Sequence, residues 1–579
     1  MPTSQYTVAQ PSLPDVRDLL RRKDRDLLNE LLEMKDLDTF VQGLPADDFF
    51  RLIKRIGPDD AVPVLAKATT DQWQYLLDLE VWSRDLLDTG KLMVWLDRLI
   101  RADAGRLARW ISSEQGELAI MILLRRASVL FKEQEEEWQV PPGYFTLDGC
   151  FYIKAHAPQD APLLERFLRA IASEHDETYR SLLLDLAAHL PSETEEELYR
   201  LRSNRLMEYG FAPPHEAIAV YAPLSPEVLS FDPKPLFPGA VVLPEHRHLI
   251  PASPISGIEE FRFLMEAVRR LSDPAEEDRV RVEFTTLCNT LIAANSFDCV
   301  DDYESLTMIG RQAAGYLHLA LQKLCGLDVD QAARLIRDHT LMTIFRVGYG
   351  FAVDLKHRVK RWREQSFWGR MGKTVDFWDS PWKEAIEGLC PARPMFFDRA
   401  AAAPGYRPFE STEDLKTTER LIHQAEALDR LLGRLTITPT VQLEKFYRTF
   451  HPLLFNRWAR HLLDMEPSFD PLTKKQARQF FRILRRGEKT PPFKMEAWRQ
   501  VFMDEFLKGS AGFEAETAAA LHDALTEVWQ AFRLEYENVH LKDLDARWSK
   551  YLILENETQS KTDAASTGFD EPASFSRKR

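Results

Sequence analysis

A mainly α, multi-domain protein is predicted, with an N-terminal short-helix superhelical (armadillo-like) repeat domain and a small α/β or α+β insert in the middle. Three observations predict it. Apolar residues recur at i, i+3 and i+4 along most of the chain, the spacing of a buried helix stripe. A pattern of twelve residues repeats near the N-terminus. Strand-type runs flank a two-residue turn signal at one place, "YFTLDGCFYIKA".

At 579 residues the chain exceeds one hydrophobic core and suggests about three or four packed units. A net charge of −15, from 90 acidic against 75 basic residues, opposes nucleic acid and anionic lipid as partners. The five cysteines form no C-x-x-C pair, which fits a reducing compartment and argues against a zinc ribbon or disulfide framework. Residues 1–30 read as an N-terminal arm without the apolar core of a signal peptide, and no later run predicts membrane insertion. A cytoplasmic location is expected.

Residues 31–130 form the predicted repeat domain. In "LPADDFFRLIKRIGPDDAVPVLAKATTDQWQYLLDL", Asp47, Asp59 and Asp71 share one register, as do Leu52, Val64 and Leu76, then Ile53, Leu65 and Leu77. Pro45, Gly57, Pro58, Thr69 and Thr70 punctuate the junctions, so each unit is a short helix plus a turn. A helix of about nine residues, about 13 Å long, buries its stripe only by stacking on neighbours. Pro63 fits only in the first turn of a helix that starts near Asp60. The register breaks at "WSRDLLDTGKLMVWLDRLI" and resumes where Leu107, Trp110 and Ile111 precede Ala119, Ile122 and Leu123.

This stretch resembles the superhelical intracellular N-domain of the MgtE-type magnesium transporter and, more remotely, the armadillo-like repeats of the flagellar motor-switch protein G. The transporter's membrane helices have no counterpart, so transport is not implied. The chain as a whole resembles an uncharacterised bacterial family of no established activity. The resemblance makes Mg2+ a candidate cofactor at Asp47, Asp59 and Asp71, since hard cations take oxygen ligands. Helix capping and the helix dipole explain the same carboxylates more economically, and no cofactor is required by the sequence.

Residues 140–222 read as the small α/β or α+β region, opening with a hairpin at Asp148 and Gly149. Arg202 and Arg205 before Gly210 suit an anion or, more economically, a solvated helix face ended by a glycine. Residues 223–254 form a Pro-rich linker, in which Glu245, His246 and His248 lack a further ligand at metal spacing.

A helical domain is expected at 255–375. Asp298, Asp301, Asp302 and Glu304 precede an apolar helix as caps, and Cys299 among them is a poor nucleophile. If "RDHTLMTIFRVGYGFAVDLKHRVKRW" is one helix, His339, Arg346 and His357 fall within about 20 degrees of one face. They are the candidate ligand-binding residues for an anion, set against a solvated stripe or a structural ion pair.

Residues 376–410 form an aromatic and proline-rich loop pinned to a core, 411–555 a C-terminal helical domain, and 556–579 a disordered tail. His423 and Glu426 lack a second pair for a carboxylate metal site. Neither a phosphate loop, a dinucleotide fingerprint, a nucleophile elbow nor a zinc-protease motif occurs, so catalytic residues are unknown and the reading leans away from an enzyme. The leading expectation is a scaffold that binds a protein partner through its N-terminal repeats. A divalent-cation-responsive regulator, or an enzyme or ligand-binding protein with an anion site near Arg346, is the alternative.

Overall fold

The computed structural model of the chain describes residues 24–132, 142–186, 190–229, 261–271, 273–297, 300, 302–435, 448–488, 490–544 and 549–555. The fold is mainly α, and the chain divides into two compact units, Met1–Gly350 and Phe351–Arg579. Of the Pro-rich segment 223–254, residues 230–254 with Glu245, His246 and His248 lie outside the described residues, as do residues 1–23 of the N-terminal arm, Asp298, Cys299, Asp301 and the tail.

In the first unit the helices are α1 (Asp24–Leu32), α2 (Leu37–Gln42), α3 (Ala46–Ile56), α4 (Val62–Leu65) and α5 (Thr70–Glu80). A two-stranded turn, β1 (Trp82–Ser83) and β2 (Leu86–Leu87), leads into α6 (Thr89–Glu114) and α7 (Gly116–Arg126). The three stretches expected as repeats are helices of unequal length, and the stripe residues Leu52, Ile53, Val64, Leu65, Leu76 and Leu77 are all buried. Pro63 stands in the first turn of α4, where its missing N–H costs nothing. Thr69 caps the N-terminus of α5 with a reciprocal capping box to Gln72. Helix α6 leaves helical geometry at Asp103, whose carboxylate accepts the Arg106 N–H and restarts the helix.

The two-residue hairpin expected at Asp148–Gly149 forms a turn but not a hairpin ladder. Asp148 accepts the N–H groups of Cys150 and Phe151, and Gly149 takes φ +75. Strand β4 (Phe151–Ala155) instead pairs antiparallel with β3 (Ala127–Phe131) in a five-residue ladder, while the near side contributes one bridge, Phe145 to Ile153. The ladder sets Ala127 opposite Ala155 and Val129 opposite Ile153.

Helices α8 (Ala161–Glu174), α9 (Asp176–Asp185), α10 (Pro191–Glu208) and α11 (Pro214–Ala217) follow. Then come α12 (Arg262–Arg269), α13 (Pro274–Ala294), α14 (Tyr303–Cys325), α15 (Val329–Asp338) and α16 (Leu341–Gln365), within which the division at residue 350 falls. The "GYGFAV" glycines serve packing. A Cβ on Gly348 would come within 2.0 Å of the Tyr316 carbonyl oxygen, so only glycine lets α16 approach α14 this closely.

The second unit contains α17 (Phe367–Arg370), α18 (Trp382–Leu389), the hairpin β5 (Phe396–Asp398) and β6 (Gly405–Arg407), and α19 (Thr412–Leu435). It continues with α20 (His451–Leu462), α21 (Lys474–Arg485), α22 (Arg499–Leu507) and α23 (Ala515–Tyr536). Its core is aromatic. Trp458 packs edge-on against Trp529, Phe480 and Phe502, and Trp362 meets Trp368 and Trp378 at 5.4 Å each. Residues 376–410, expected as a loop, carry α18 and the β5–β6 hairpin, and their aromatics Phe377, Trp378, Trp382 and Phe409 are buried as anchors of that core.

Candidate functional site

The three register-mates Asp47, Asp59 and Asp71 do not converge. Asp47 lies in the first turn of α3 but turns inward, 5% exposed, where it accepts hydrogen bonds from the Tyr75 hydroxyl and, at 3.5 Å, from Asn289 Nδ2. Burial raises its carboxyl above the ordinary carboxylate range, although Arg51 and both donors pull the other way. Asp59 is exposed and forked by Arg98, Nε at 2.8 Å and Nη2 at 3.1 Å, which lowers it. Asp71 stands exposed in the first turn of α5. Among the described residues no group of three or more His, Cys, Asp or Glu side chains is placed to hold a metal ion. The magnesium expectation at these three positions therefore has no geometry behind it: one register supplies three different environments.

The expected face of His339, Arg346 and His357 also dissolves. His339 closes α15 with extended backbone and lies outside α16, which starts at Leu341. Arg346 donates from Nε to the Ala222 carbonyl at 2.8 Å, a backbone clasp in place of an anion site. His357 is exposed. Arg202 and Arg205, read as a solvated face, are structural instead. Arg205 forks Asp78 at 2.7 Å on both nitrogens, and Arg202, 2% exposed, donates to the Asp78 carbonyl between the rings of Trp82 and Phe297. His423 and Glu426 go to separate partners, Glu516 and Arg358.

A cavity that none of these positions marks lies in the second unit, under the β5–β6 hairpin. Its register pairs Phe396 with Arg407, Phe397 with Tyr406 and Asp398 with Gly405. Arg407 welds the hairpin to the start of α19, donating from Nε to Asp398 at 2.9 Å and forking Asp414 at 2.8 and 3.0 Å. Asp414 also accepts the N–H groups of Glu410 and Ser411. Gly388 on α18 lets the hairpin close down, since a Cβ there would meet the Met395 carbonyl at 2.4 Å. Trp382 Nε1 donates to Gln424 at 3.1 Å and ties α18 to α19.

The space enclosed is about 290 Å³. Phe396, Phe397, Pro381 and Leu421 supply apolar wall, and Thr417, Arg420 and Glu527 supply polar groups from α19 and α23. Asp398 is already committed: Arg407 and the Ala400 and Ala401 N–H groups hold its carboxyl below the ordinary range. Arg399 is tethered to the Ser380 hydroxyl at 2.6 Å. Arg420 and Glu527 have no hydrogen-bond or ion-pair partner among the described residues. Among the described residues the space therefore offers a ligand one free guanidinium, Arg420, and one free carboxylate, Glu527. The sequence carried only one hint of this place, the dense aromatics, prolines and arginines of residues 376–410.

These features define a mainly α protein of two compact units with a small polar-and-apolar cavity in the second. Its family is shown: the family of unknown function DUF6178 matches residues 9–555, nearly the whole chain, and the protein belongs to it. No curated protein and no solved structure matches the chain. The resemblance of residues 31–130 to the transporter domain thus rests on the quoted residues alone. Among the described residues no helix is long and apolar enough to cross a membrane.

Proposed function

We propose that the protein is a ligand-binding protein whose hairpin cavity takes a small organic acid with an apolar body. The observation that carries this reading is Arg420, an uncommitted guanidinium lining a cavity whose other wall is aromatic. The apolar body would lie against Phe396 and Phe397 and the acidic group on Arg420, with Thr417 and Glu527 available to a hydroxyl or amine. A volume near the lower end of the usual ~300–1,000 Å³ range limits the ligand to a metabolite-sized molecule. The partner-binding reading of residues 31–130 would rest on exposed side chains such as Leu32, Leu86 and Val94, since the stripe residues are internal.

The test is a calorimetric screen of small mono- and dicarboxylic acids against the full chain and its Arg420→Gln variant. Binding that weakens about tenfold or more in the variant, a loss of about 1.4 kcal/mol, is expected. Absence of any binder, or equal binding by the variant, sinks the reading.

A further inference from the structure

The residues from Lys474 to Arg499 hold nine basic and two acidic side chains in a chain whose net charge is −15. This concentration runs along α21 and past its end, where the chain reverses through Arg486 at φ +45 and Gly487 at φ +85. At that reversal lies a second cavity, about 560 Å³, lined by Arg482, Arg485, Phe493, His540, Leu541 and Lys542 among others. Glu488 is the one carboxylate in the lining, and its Oε2 is taken by the Lys494 N–H at 2.7 Å.

Arg485 is the built part of this site. It is 5% exposed, its guanidinium lies 3.9 Å from the centre of the Phe493 ring, and one end donates to the Val539 carbonyl. Its Nε is buried with no partner among the described residues, and burial with no carboxylate beside it lowers it from the ordinary guanidinium value. Arg482 and Lys542 have no partner among the described residues either. Basic side chains in the last turn of a helix answer its carbonyl end, which accounts for Arg482 and Arg485. It does not account for Lys542 and His540, which arrive from a segment far along the chain and face the same space. Like charges drawn together from two segments repel unless an anion joins them.

We propose that this cavity binds the phosphoryl group of a small phosphate ester, with Arg482, Arg485 and Lys542 around the phosphate and the organic part beside Phe493 and Leu541. A phosphate is the anion that can accept from several cations in different directions at once, whereas a carboxylate is satisfied by one planar fork. The cavity is also too large for a bare phosphate and falls within the usual ~300–1,000 Å³ of ligand pockets. The site is separate in its residues from the hairpin cavity, so each proposal stands or falls alone.

The experiment is calorimetric titration of the full chain with inorganic phosphate, ribose 5-phosphate and ADP at fixed ionic strength. The Arg482→Gln/Lys542→Gln double variant and the charge control Lys360→Gln are titrated alongside. Both exchanged residues are at the surface, and melting curves verify that the double variant is folded. Expected is binding of the esters that falls tenfold or more in the double variant and is unchanged in the control. Tighter binding of the esters than of inorganic phosphate identifies the organic part as recognised; equal binding identifies a free phosphate site of the same chemistry. No binding of any probe at about 10 mM, weaker than about −3 kcal/mol, overturns the proposal, as does equal binding by the folded double variant. Binding of a single-stranded oligonucleotide without binding of ADP also overturns it, in favour of a polyanion surface along Lys475, Arg478 and Arg482.

Discussion

In the first unit Lys54 meets Glu80 at 2.8 Å, with side chains 3% and 8% exposed and the Trp95 indole donating to the same carboxylate. In the second unit Arg482, Lys542 and Arg420 line cavities with no partner among the described residues. In the first unit, too, Asp78 is forked by Arg205, and Asp47 accepts from the Tyr75 hydroxyl. The second builds its core from tryptophan and phenylalanine and leaves charge at the walls of its cavities. A sealed pair specifies packing, because its alternatives carry an uncompensated ion, whereas an open cation keeps its hydration and its capacity for a ligand. Charge alone therefore does not mark a site; what matters is whether the fold has already satisfied it.

The sharpest way to break this contrast is to remove one member of a sealed pair. Glu80→Ala removes the carboxylate that Lys54 meets at 2.8 Å and that the Trp95 indole donates to, and is expected to cost about 3–5 kcal/mol, seen as a large drop in the urea midpoint of the full chain. Lys54→Met with Glu80→Leu removes both charges together and is expected to cost less, about 1–3 kcal/mol, for the Trp95 N–H left without its acceptor. A loss under about 1 kcal/mol for Glu80→Ala would place the pair among surface ion pairs.

Packing gives the next largest effect. Gly348→Ala forces a methyl onto the Tyr316 carbonyl and is expected to lose about 1–3 kcal/mol, while Gly116→Ala, with open space around it, stays within about 0.5 kcal/mol. Equal midpoints for the two variants would mean that α16 and α14 can part without cost.

Acid should act on both units through buried imidazoles. Burial pushes His318 down to about 4, and it holds His451, 1% exposed against Phe450 and Tyr551, well below the ordinary value despite Asp379 at 3.7 Å. The unfolded chain takes up these protons first, near the ordinary ~6.5. Stability is thus present above that value and is lost as pH falls toward the folded-state values, by about 2 kcal/mol per histidine at pH 5. His451→Phe should flatten this slope for the second unit and His318→Phe for the first; unchanged slopes would show that neither ring is held neutral.

The smallest effect belongs to the exposed register-mate. Asp59→Asn loses its Arg98 fork at a cost of under about 1 kcal/mol, lessened further by salt. A fall of several kcal/mol would show that this pair is shielded in the way Lys54 and Glu80 are.

Much of the local structure was legible. The stripes at Leu52, Ile53, Leu76 and Leu77 marked α3 and α5, Pro63 marked the first turn of α4, and the aromatics of 376–410 were core anchors. The candidate sites were not legible. Asp47 and Asp59 occupy one register position, yet one faces Tyr75 and the other water, because the neighbours that α3 meets differ from those beside the turn at Asp59. Arg202 and Arg205 look like a solvated face until Asp78 is brought beneath them. Arg482 and Lys542 become one site only where the chain returns after α23.

By itself, then, the sequence determined the mainly α class and the positions of many helices and turns. These follow from interactions within a few residues: stripe periodicity, caps, and the fixed φ of proline. Only the tertiary structure decided which carboxylates are sealed, which strand pairs with Phe151–Ala155, and where cations gather around a cavity. Those outcomes depend on side chains far apart in the chain sharing one dielectric environment, and no local spacing encodes that.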